Sequence, residues 1–319
     1  MVLRCVRTIR RLVVHSVVTT ARCWPTSQVS RQPGWSETVP RSPRRAPSVL
    51  AFTLLLLVAT GSTQPLARAG CEPSTADCGL SQRIAAADTY LAGRPGTVGY
   101  VLRDRATGMK FRNANAGFAI WTASTIKLAM VADLLARERV GALRLTDADR
   151  RLMAAMLRHS DNEAADTLWS RYGGPTHAFN TNFPRYGMDN VRPQPGFGDV
   201  FPDWGFQKGT ADDFDALMNF VLTGLDRPDA AAVVAEMQRV DGRQQWGVWG
   251  AGPAMSPGNK NGWSQEEGGW VVNTVGFAGP QQRYTLAVMN ALGDEGGYDD
   301  GITTTTELGR ILLGPGVFF

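Results

Sequence analysis

The chain has 319 residues, of which 43 % are hydrophobic, so it is long enough to bury a sizeable core in one large domain or two interlocked ones. Its formal net charge of +4 is unevenly spread, because residues 1–47 hold nine arginines and one glutamate, whereas the chain from residue 70 onward is acidic. An acidic body does not attract phosphate groups, and nucleic acid is therefore not expected as a partner.

The N-terminal segment has the pattern of an export signal. Arg44 and Arg45 precede an apolar run, residues 49–59, that is too short to span a bilayer but has the length of a signal-peptide core. Residues 67–69, Ala-Arg-Ala, fit a cleavage site. We predict that residues 1–69 are a leader outside the fold and that residues 70–319 form the exported domain, in the cell envelope or outside the cell. An uncleaved membrane anchor is the alternative.

Two cysteines, Cys71 and Cys78, directly follow the predicted cleavage site. In an oxidising compartment they are able to form a disulfide. The other interpretation is a membrane anchor through a lipid on Cys71, since Ala-Gly-Cys after an apolar run resembles a bacterial lipobox, although Arg68 stands where leucine is usual. No histidine lies near either cysteine, and we expect neither a metal site nor a cofactor.

Hydrophobic periodicity and turn residues predict the elements of the domain in chain order. The first half is expected to contain a helix at 81–91, a hairpin of strands 97–103 and 109–113, an apolar helix at 124–138, a helix that follows the N-cap at Thr146, and a helix at 163–171. A long ordered loop is expected at 185–210, where Pro, Gly and aromatic residues are frequent. The second half is expected to contain helices at 211–223 and 228–239, strands at 270–277 and 284–289, and a closing helix at 303–313.

Strands at both ends of the chain and helices between them predict an α+β fold. The two ends would pair in one antiparallel sheet, as part of an α/β sandwich, and an all-α lobe at about 124–225 would be inserted between them. A cleft between sheet and lobe is the expected place for a functional site.

The first candidate motif joins Ser124 and Lys127. Three residues apart, they share one face of a helix, and the helix N-terminus at Ser124 favours negative charge. A serine hydroxyl is a weak nucleophile until a base takes its proton, and a buried amine with a lowered pKa is able to do so. We therefore expect Ser124 to be the nucleophile and Lys127 its base. A plain helix cap and a surface lysine are the alternatives.

The second motif, Ser160-Asp161-Asn162, is predicted at the corner between two helices. Ser160 would relay a proton toward a leaving nitrogen. Asn162 would hydrogen-bond a substrate amide and orient Lys127, and Asp161 would be structural. An ordinary helix corner capped by Ser160 or Asp161 is the alternative.

The third motif is Lys260-Asn261-Gly262, followed by Trp263, and it fits an edge strand that faces the cleft. Gly262 would let a substrate backbone come close. The backbone N–H groups of Trp263 and Ser124 would form an oxyanion hole. An exposed turn is the alternative.

Other chemistries have little support in the residues. Beyond the leader only His159 and His177 remain, and neither lies in a pattern typical of a histidine-based triad. The sequence contains no nucleophile-elbow motif, no phosphate-binding glycine loop and no zinc-ligand spacing. Five tryptophans beyond residue 200 would line a sugar- or peptide-binding cleft or would pack in the core: Trp204, Trp246, Trp249, Trp263 and Trp270.

The three motifs, in this order, resemble those of class A β-lactamases and their penicillin-binding relatives. The resemblance spans about residues 80–319, and the overall layout is similar to that of mycobacterial β-lactamase-like lipoproteins. It implies an acyl-enzyme mechanism on β-lactams or on D-alanyl peptides of peptidoglycan. The implied catalytic residues are Ser124, Lys127, Ser160 and Lys260. The implied substrate-binding residues are Asn162, Asn261, Gly262 and Trp263.

The sequence also departs from the family pattern. The family has Thr or Ser where Asn261 stands, and its loop after the second motif supplies a Glu that activates the deacylating water. Here no Glu lies between Glu163 and Glu236. This puts β-lactam turnover in doubt and keeps two alternatives open, namely a D-alanyl-D-alanine peptidase and a non-catalytic protein that binds peptidoglycan. Arg239 and Arg243 are candidates for the family's carboxylate-binding arginine.

Overall fold

A computed structural model of the chain describes residues 76–173, 177–199 and 202–315. The predicted leader and Cys71 lie outside the described residues, as does the side chain of Cys78. The predictions of cleavage, of a disulfide and of lipid attachment concern these parts of the chain. Within the described ranges, no helix has the length and apolar character needed to cross a membrane.

Eight α-helices and eight β-strands are described, with short 3₁₀ turns between them. The helices are α1 (Ala76–Leu91), α2 (Ile126–Arg139), α3 (Asp147–His159), α4 (Asn162–Tyr172), α5 (Ala178–Asn182), α6 (Ala211–Thr223), α7 (Arg227–Gln238) and α8 (Tyr298–Leu313). The strands are β1 (Thr97–Asp104), β2 (Met109–Arg112), β3 (Ile120–Trp121), β4 (Arg192–Pro193), β5 (Gln207–Gly209), β6 (Gly258–Glu266), β7 (Gly269–Ala278) and β8 (Tyr284–Gly293).

The predicted single sheet from both chain ends is confirmed. Its five strands follow the order β2-β1-β8-β7-β6, and every neighbouring pair is antiparallel. Strand β1 pairs along its whole length with β8, so that Gly99 lies opposite Met289 although 190 residues separate them in the chain. Strand β6 has a partner on one side only, as expected for the strand that carries the third motif. Its other edge remains available to the helical lobe and to a ligand.

Alternation along the strands sends apolar side chains to both faces of the sheet. On β1, Tyr100 and Leu102 pack in a core with α1 and α8, while Val101 belongs to the larger core that the sheet shares with the central helices. On β8, Leu286 and Ala287 divide between the two cores in the same way. A sheet covered on both faces is buried, and the sequence shows this as the apolar runs that predicted β7 and β8.

The central helices match their predicted positions to within a few residues. Helix α3 begins at the expected capping box, in which Thr146 and Asp149 exchange side-chain-to-backbone hydrogen bonds. Several predictions needed correction. Helices α1 and α8 begin at Ala76 and Tyr298, before their predicted starts at residues 81 and 303. Helix α2 begins at Ile126 rather than at residue 124, because residues 123–125 form a 3₁₀ turn. The predicted loop at 185–210 also contains strands β4 and β5, which pair with each other, and β5 pairs with β3 on its other side.

Candidate active site

Ser124 lies in the 3₁₀ turn that leads into α2, and the backbone of this turn is strained. Ala123 has φ +44°, in the left-handed region that a residue with a Cβ rarely adopts. The surrounding hydrogen bonds hold it there. Asn273 donates its amide to Trp121 O at 2.8 Å, and Thr122 N donates to Gln207 O at 3.0 Å. Such strain persists only where neighbouring structure compels it, and it is common at functional sites.

Lys127 follows one turn later and is fully buried. Its Nζ donates to Ser160 O and to Asn162 Oδ1, both at 2.6 Å, and lies 4.5 Å from the centre of the Trp204 ring. Burial lowers the pKa of Lys127 to about 7, although the nearby charges of Asp161 and Asp166 oppose the shift. The amine therefore exists in both protonation states near neutral pH, as a general base requires.

Ser160 lies at the corner between α3 and α4, with φ +56°. Asp161 caps α4 by accepting a hydrogen bond from Ala164 N at 2.9 Å, the structural role that the sequence predicted for it. The Ser160 hydroxyl accepts from Lys260 Nζ at 2.9 Å and lies 3.4 Å from Lys127 Nζ. With two amines as donors, the hydroxyl keeps its own proton available for a group in the cleft.

Lys260 reaches this corner from β6 and is also fully buried. Besides the bond to Ser160, its Nζ donates to Asn261 O at 2.6 Å. Burial, and secondly the charge of Lys127, hold the pKa of Lys260 well below its ordinary value. Two amines that share one hydroxyl in a buried site cannot both carry a charge at low cost, so the pair favours a single proton.

The residues around Gly262 differ from expectation. A Cβ at this position would lie 2.6 Å from Thr125 N and 2.9 Å from Ser124 N, so the glycine lets β6 pack against the nucleophile turn itself. The space beside Gly262, in which we expected a substrate backbone, is occupied by the backbone of Thr125 and Ser124. Any larger residue would push the strand and the turn apart.

Asn261 also differs from expectation, because its side chain does not face the cleft. It is fully buried, donates to Gln244 O at 2.8 Å, and accepts from Asn259 Nδ2 at 2.7 Å. In this arrangement the amide ties the strand to the segment before it, and its hydrogen bonds are made within the protein. The predicted contact between this amide and a substrate stays a prediction.

A pocket of about 680 Å³ opens beside Ser124. Of the predicted site residues, Ser124, Asn162 and Trp263 line it, while Lys127 and Lys260 lie buried behind it. Its described lining is Ala123, Ser124, Asn162, Asp166, Gly196, Asp199, Pro202, Asp203, Trp204, Gly205, Phe206, Trp263, Ser264 and Glu266. Of the five tryptophans noted above, Trp204 and Trp263 line the pocket. Trp263 and Trp270 also pack against the buried Trp246.

The sequence-based predictions missed two residues of the pocket and placed two arginines there that do not line it. Asp166 lines the pocket and accepts from Trp204 Nε1 at 2.7 Å. It lies four residues after Asn162, and this helical spacing was the signal for its position. Glu266, another residue of the lining, comes from β6 rather than from the loop. Among the described residues, neither Arg239 nor Arg243 lines the pocket, and both form exposed ion pairs with acidic neighbours.

This geometry joins an accessible hydroxyl, a buried amine that changes protonation near neutral pH, and a hydroxyl bridge to a second amine. In the described part of the chain the Ser124 hydroxyl has no hydrogen-bond partner, and Lys127 is held by Ser160 and Asn162 instead. Such contacts often tighten only when a substrate binds. Chemically, the site is able to accept a proton from Ser124 and to deliver one to a leaving group.

Comparisons with known proteins identify relatives of similar sequence and structures of similar fold. No protein-family model matches the chain. The chain is 31 % identical over 222 residues to proteins of Mycobacterium bovis and Mycobacterium tuberculosis that bear the name "Putative lipoprotein LppW". The match covers 66 % of this chain and 68 % of the relative.

Solved structures of similar fold are class A β-lactamases and proteins described as β-lactamases. A β-lactamase from Xanthomonas campestris matches with a TM-score of 0.61 and 19 % identity, over 74 % of this chain and 97 % of the other. An ancestral class A β-lactamase matches with a TM-score of 0.59 and 20 % identity, over 73 % and 98 %. The chain therefore has the class A β-lactamase fold and belongs to the family of the mycobacterial proteins named LppW.

Proposed function

We propose that this protein is an exported active-site-serine hydrolase that forms an acyl-enzyme with β-lactams or with D-alanyl peptides of the cell wall. One observation carries the proposal. The fully buried Lys127 amine, three residues after the pocket-lining Ser124, is hydrogen bonded to both Ser160 and Asn162. Burial of an amine is costly, and this arrangement is what a lysine general base needs.

In the proposed reaction, Ser124 Oγ attacks the carbonyl carbon of the lactam or peptide bond while its proton passes to the neutral Lys127 amine. The carbon–nitrogen bond then breaks, and the leaving nitrogen takes a proton from the Ser160 hydroxyl. Lys260 and Lys127 restore that proton through their contacts with Ser160. Water finally attacks the ester, releasing the acid and returning the proton to Ser124.

The oxyanion of the intermediate needs donors beside Ser124. The Ser124 N–H is the first, and β6 passes close to it at Gly262. We assign the Trp263 N–H, the next along this strand, as the second donor. One such donor typically lowers the activation barrier by about 2.7–4 kcal/mol.

A D-alanyl-D-alanine peptidase is the second candidate. The observation that favours it is the absence of glutamate from the chain between Glu163 and Glu236, because the family resemblance implies that such a peptidase does not require that residue. A non-catalytic protein that binds peptidoglycan is the third candidate. It gives no account of two buried lysines at one serine.

Ser124 is expected to become covalently labelled. Incubation with a penicillin or an activated ester should add one acyl group to the protein, and peptide mapping by mass spectrometry should place it on Ser124. The Ser124→Ala variant should take up none, whereas Ser170→Ala, a change on the exposed side of α4, should label normally. A label at another residue, or no label at millimolar reagent, would favour the non-catalytic candidate.

Export should remove the leader. The proposal of an envelope protein rests on the segment from Arg44 to Ala69 and on the word lipoprotein in the name of the relatives. We expect a mature N-terminus at Gly70 or at Cys71, which intact-mass measurement and N-terminal sequencing will identify. A free Gly70 argues against a lipid on Cys71, and a lipid adduct there supports it. A mature protein that keeps residues 54–57 contradicts cleavage by either route.

A further inference from the structure

The pocket beside Ser124 has an acidic lining. Four of the described residues that line it are carboxylates, namely Asp166, Asp199, Asp203 and Glu266, and none of the described lining residues is a lysine, arginine or histidine. They come from three separate parts of the chain: helix α4, the loop before β5, and strand β6. Carboxylates brought together from distant segments repel one another unless a cation is present.

The burial of Asp203 is a second, independent observation that points to a ligand in the pocket. The Asp203 side chain is only 5 % exposed, and its Oδ1 accepts from Trp169 Nε1 at 2.8 Å. Its Oδ2 is buried and has no hydrogen-bond partner among the described residues. The Ser264 hydroxyl, also in the pocket lining, is likewise buried without a hydrogen-bond partner in the part of the chain that the structure describes. A buried carboxylate oxygen without a donor carries a large energetic cost, which a ligand that donates a hydrogen bond would relieve.

The nearby cations neutralise this lining only in part, because Lys127 is close enough to Asp166 to interact with its charge. Lys127 and Lys260 lie behind the pocket. Lys127 donates hydrogen bonds to the second motif, and Lys260 donates one to the backbone of β6. Lys208 is stacked over Trp121, with its Nζ 5.0 Å from the ring centre. Aromatic rings of Trp204, Phe206 and Trp263 complete the walls, and aromatic faces also attract cations.

We propose that the pocket selects an acyl donor that carries a positively charged ammonium group, held by Asp203 and Glu266 between the aromatic walls. This proposal rests on the hydrolase function proposed above and names its substrate class. An acyl donor that carries negative charge and no positive charge would be repelled by the carboxylates at the same place.

The first experiment measures binding without chemistry. The Ser124→Ala protein is titrated by calorimetry with two unreactive amides of equal chain length, ε-aminocaproamide, which is cationic, and heptanamide, which is neutral. We expect about tenfold tighter binding of the cationic amide, with a decline as salt is added. Equal binding, or preference for heptanamide, overturns the proposal.

The second experiment measures acylation of the wild-type protein by p-nitrophenyl ε-aminocaproate and p-nitrophenyl heptanoate. The ratio of kcat/KM should favour the cationic ester by about tenfold, and Glu266→Gln should reduce this preference severalfold. Glu267→Gln is the matched control, because Glu267 is the exposed neighbour of Glu266 and does not line the pocket. An equal loss in both variants overturns the assignment to Glu266. Asp203→Asn, which keeps an acceptor for Trp169, tests the other carboxylate.

The two experiments separate the two proposals. If neither ester acylates Ser124 but the cationic amide still binds more tightly, the hydrolase proposal fails and the cation site stands. If both esters acylate Ser124 equally fast and the amides bind equally, the hydrolase proposal stands and the cation site fails.

Discussion

Replacement of Lys127 by methionine is expected to slow acylation of Ser124 by about 10²–10⁴-fold, the usual contribution of a general base. Methionine has a similar length and tolerates burial, so the helix should keep its packing while the base is lost. The measurement is the rate of adduct formation, followed by intact-mass spectrometry at several reagent concentrations.

The pH dependence should identify the same group. Only the neutral amine accepts a proton, and burial lowers the pKa of Lys127 to about 7. The acylation rate of the wild-type protein should therefore rise with pH through about 7 and become constant above it. At one pH unit below this midpoint the rate should be about tenfold below its plateau. Lys127→Met should remove this step from the profile.

Lys110→Gln is the matched control, because Lys110 is partly exposed and pairs with Asp212 and Asp215 away from the pocket. Its acylation rate and pH profile should equal those of the wild type. If Lys127→Met acylates at a wild-type rate, the base is another group. If the step in the profile persists in that variant, Lys127 is not the group that titrates.

The acyl-enzyme is expected to persist, so that deacylation limits turnover of β-lactams. Deacylation needs a water held beside the ester by a base, and such assistance typically contributes about 10²–10⁴-fold. The loop that supplies a glutamate in the resembling family offers only Asp189, Asp199 and Asp203 here. Asp189 does not line the pocket, and the aspartates that do, Asp199 and Asp203, have side chains one methylene shorter than that of glutamate. A stoichiometric burst followed by slow turnover is the expected time course.

Quench-flow kinetics with mass detection of the acyl-enzyme will test this expectation. Steady hydrolysis at the rate of a competent β-lactamase, with no detectable intermediate, contradicts it. If such turnover occurs, Asp199→Asn and Asp166→Asn will show which carboxylate holds the water, because both residues line the pocket. Asp189→Asn serves as the control in the same loop and should leave both rates unchanged.

The sequence by itself determined the elements of the fold and the order of the motifs, because these depend on local interactions. The Thr146 capping box and the apolar runs of β7 and β8 each lie within a few neighbouring residues. The spacing of Ser124 and Lys127 is similarly local, since one helical turn joins them. Even the single sheet was predictable from the strands at both chain ends, because an unpaired strand edge exposes backbone groups that need partners.

Only the tertiary structure decided what each motif residue contacts. Lys127 Nζ contacts the Ser160 hydroxyl across 33 positions of the chain, and Lys260 Nζ donates to the same hydroxyl across 100. The direction of Asn261 depends on which side of β6 packs against the segment near Gln244, and no local periodicity specifies that side in a strand of mixed polarity.

The acidic lining of the pocket was also decided at the tertiary level. Asp166, Asp203 and Glu266 belong to a helix, a loop and a strand, and each alone has the pattern of an ordinary surface carboxylate in the sequence. Their proximity results from packing of the helical lobe against the sheet edge, which brings together groups that local sequence keeps apart. Because electrostatic interactions depend on distance through space and not along the chain, the charge of this pocket could not be predicted from the sequence alone.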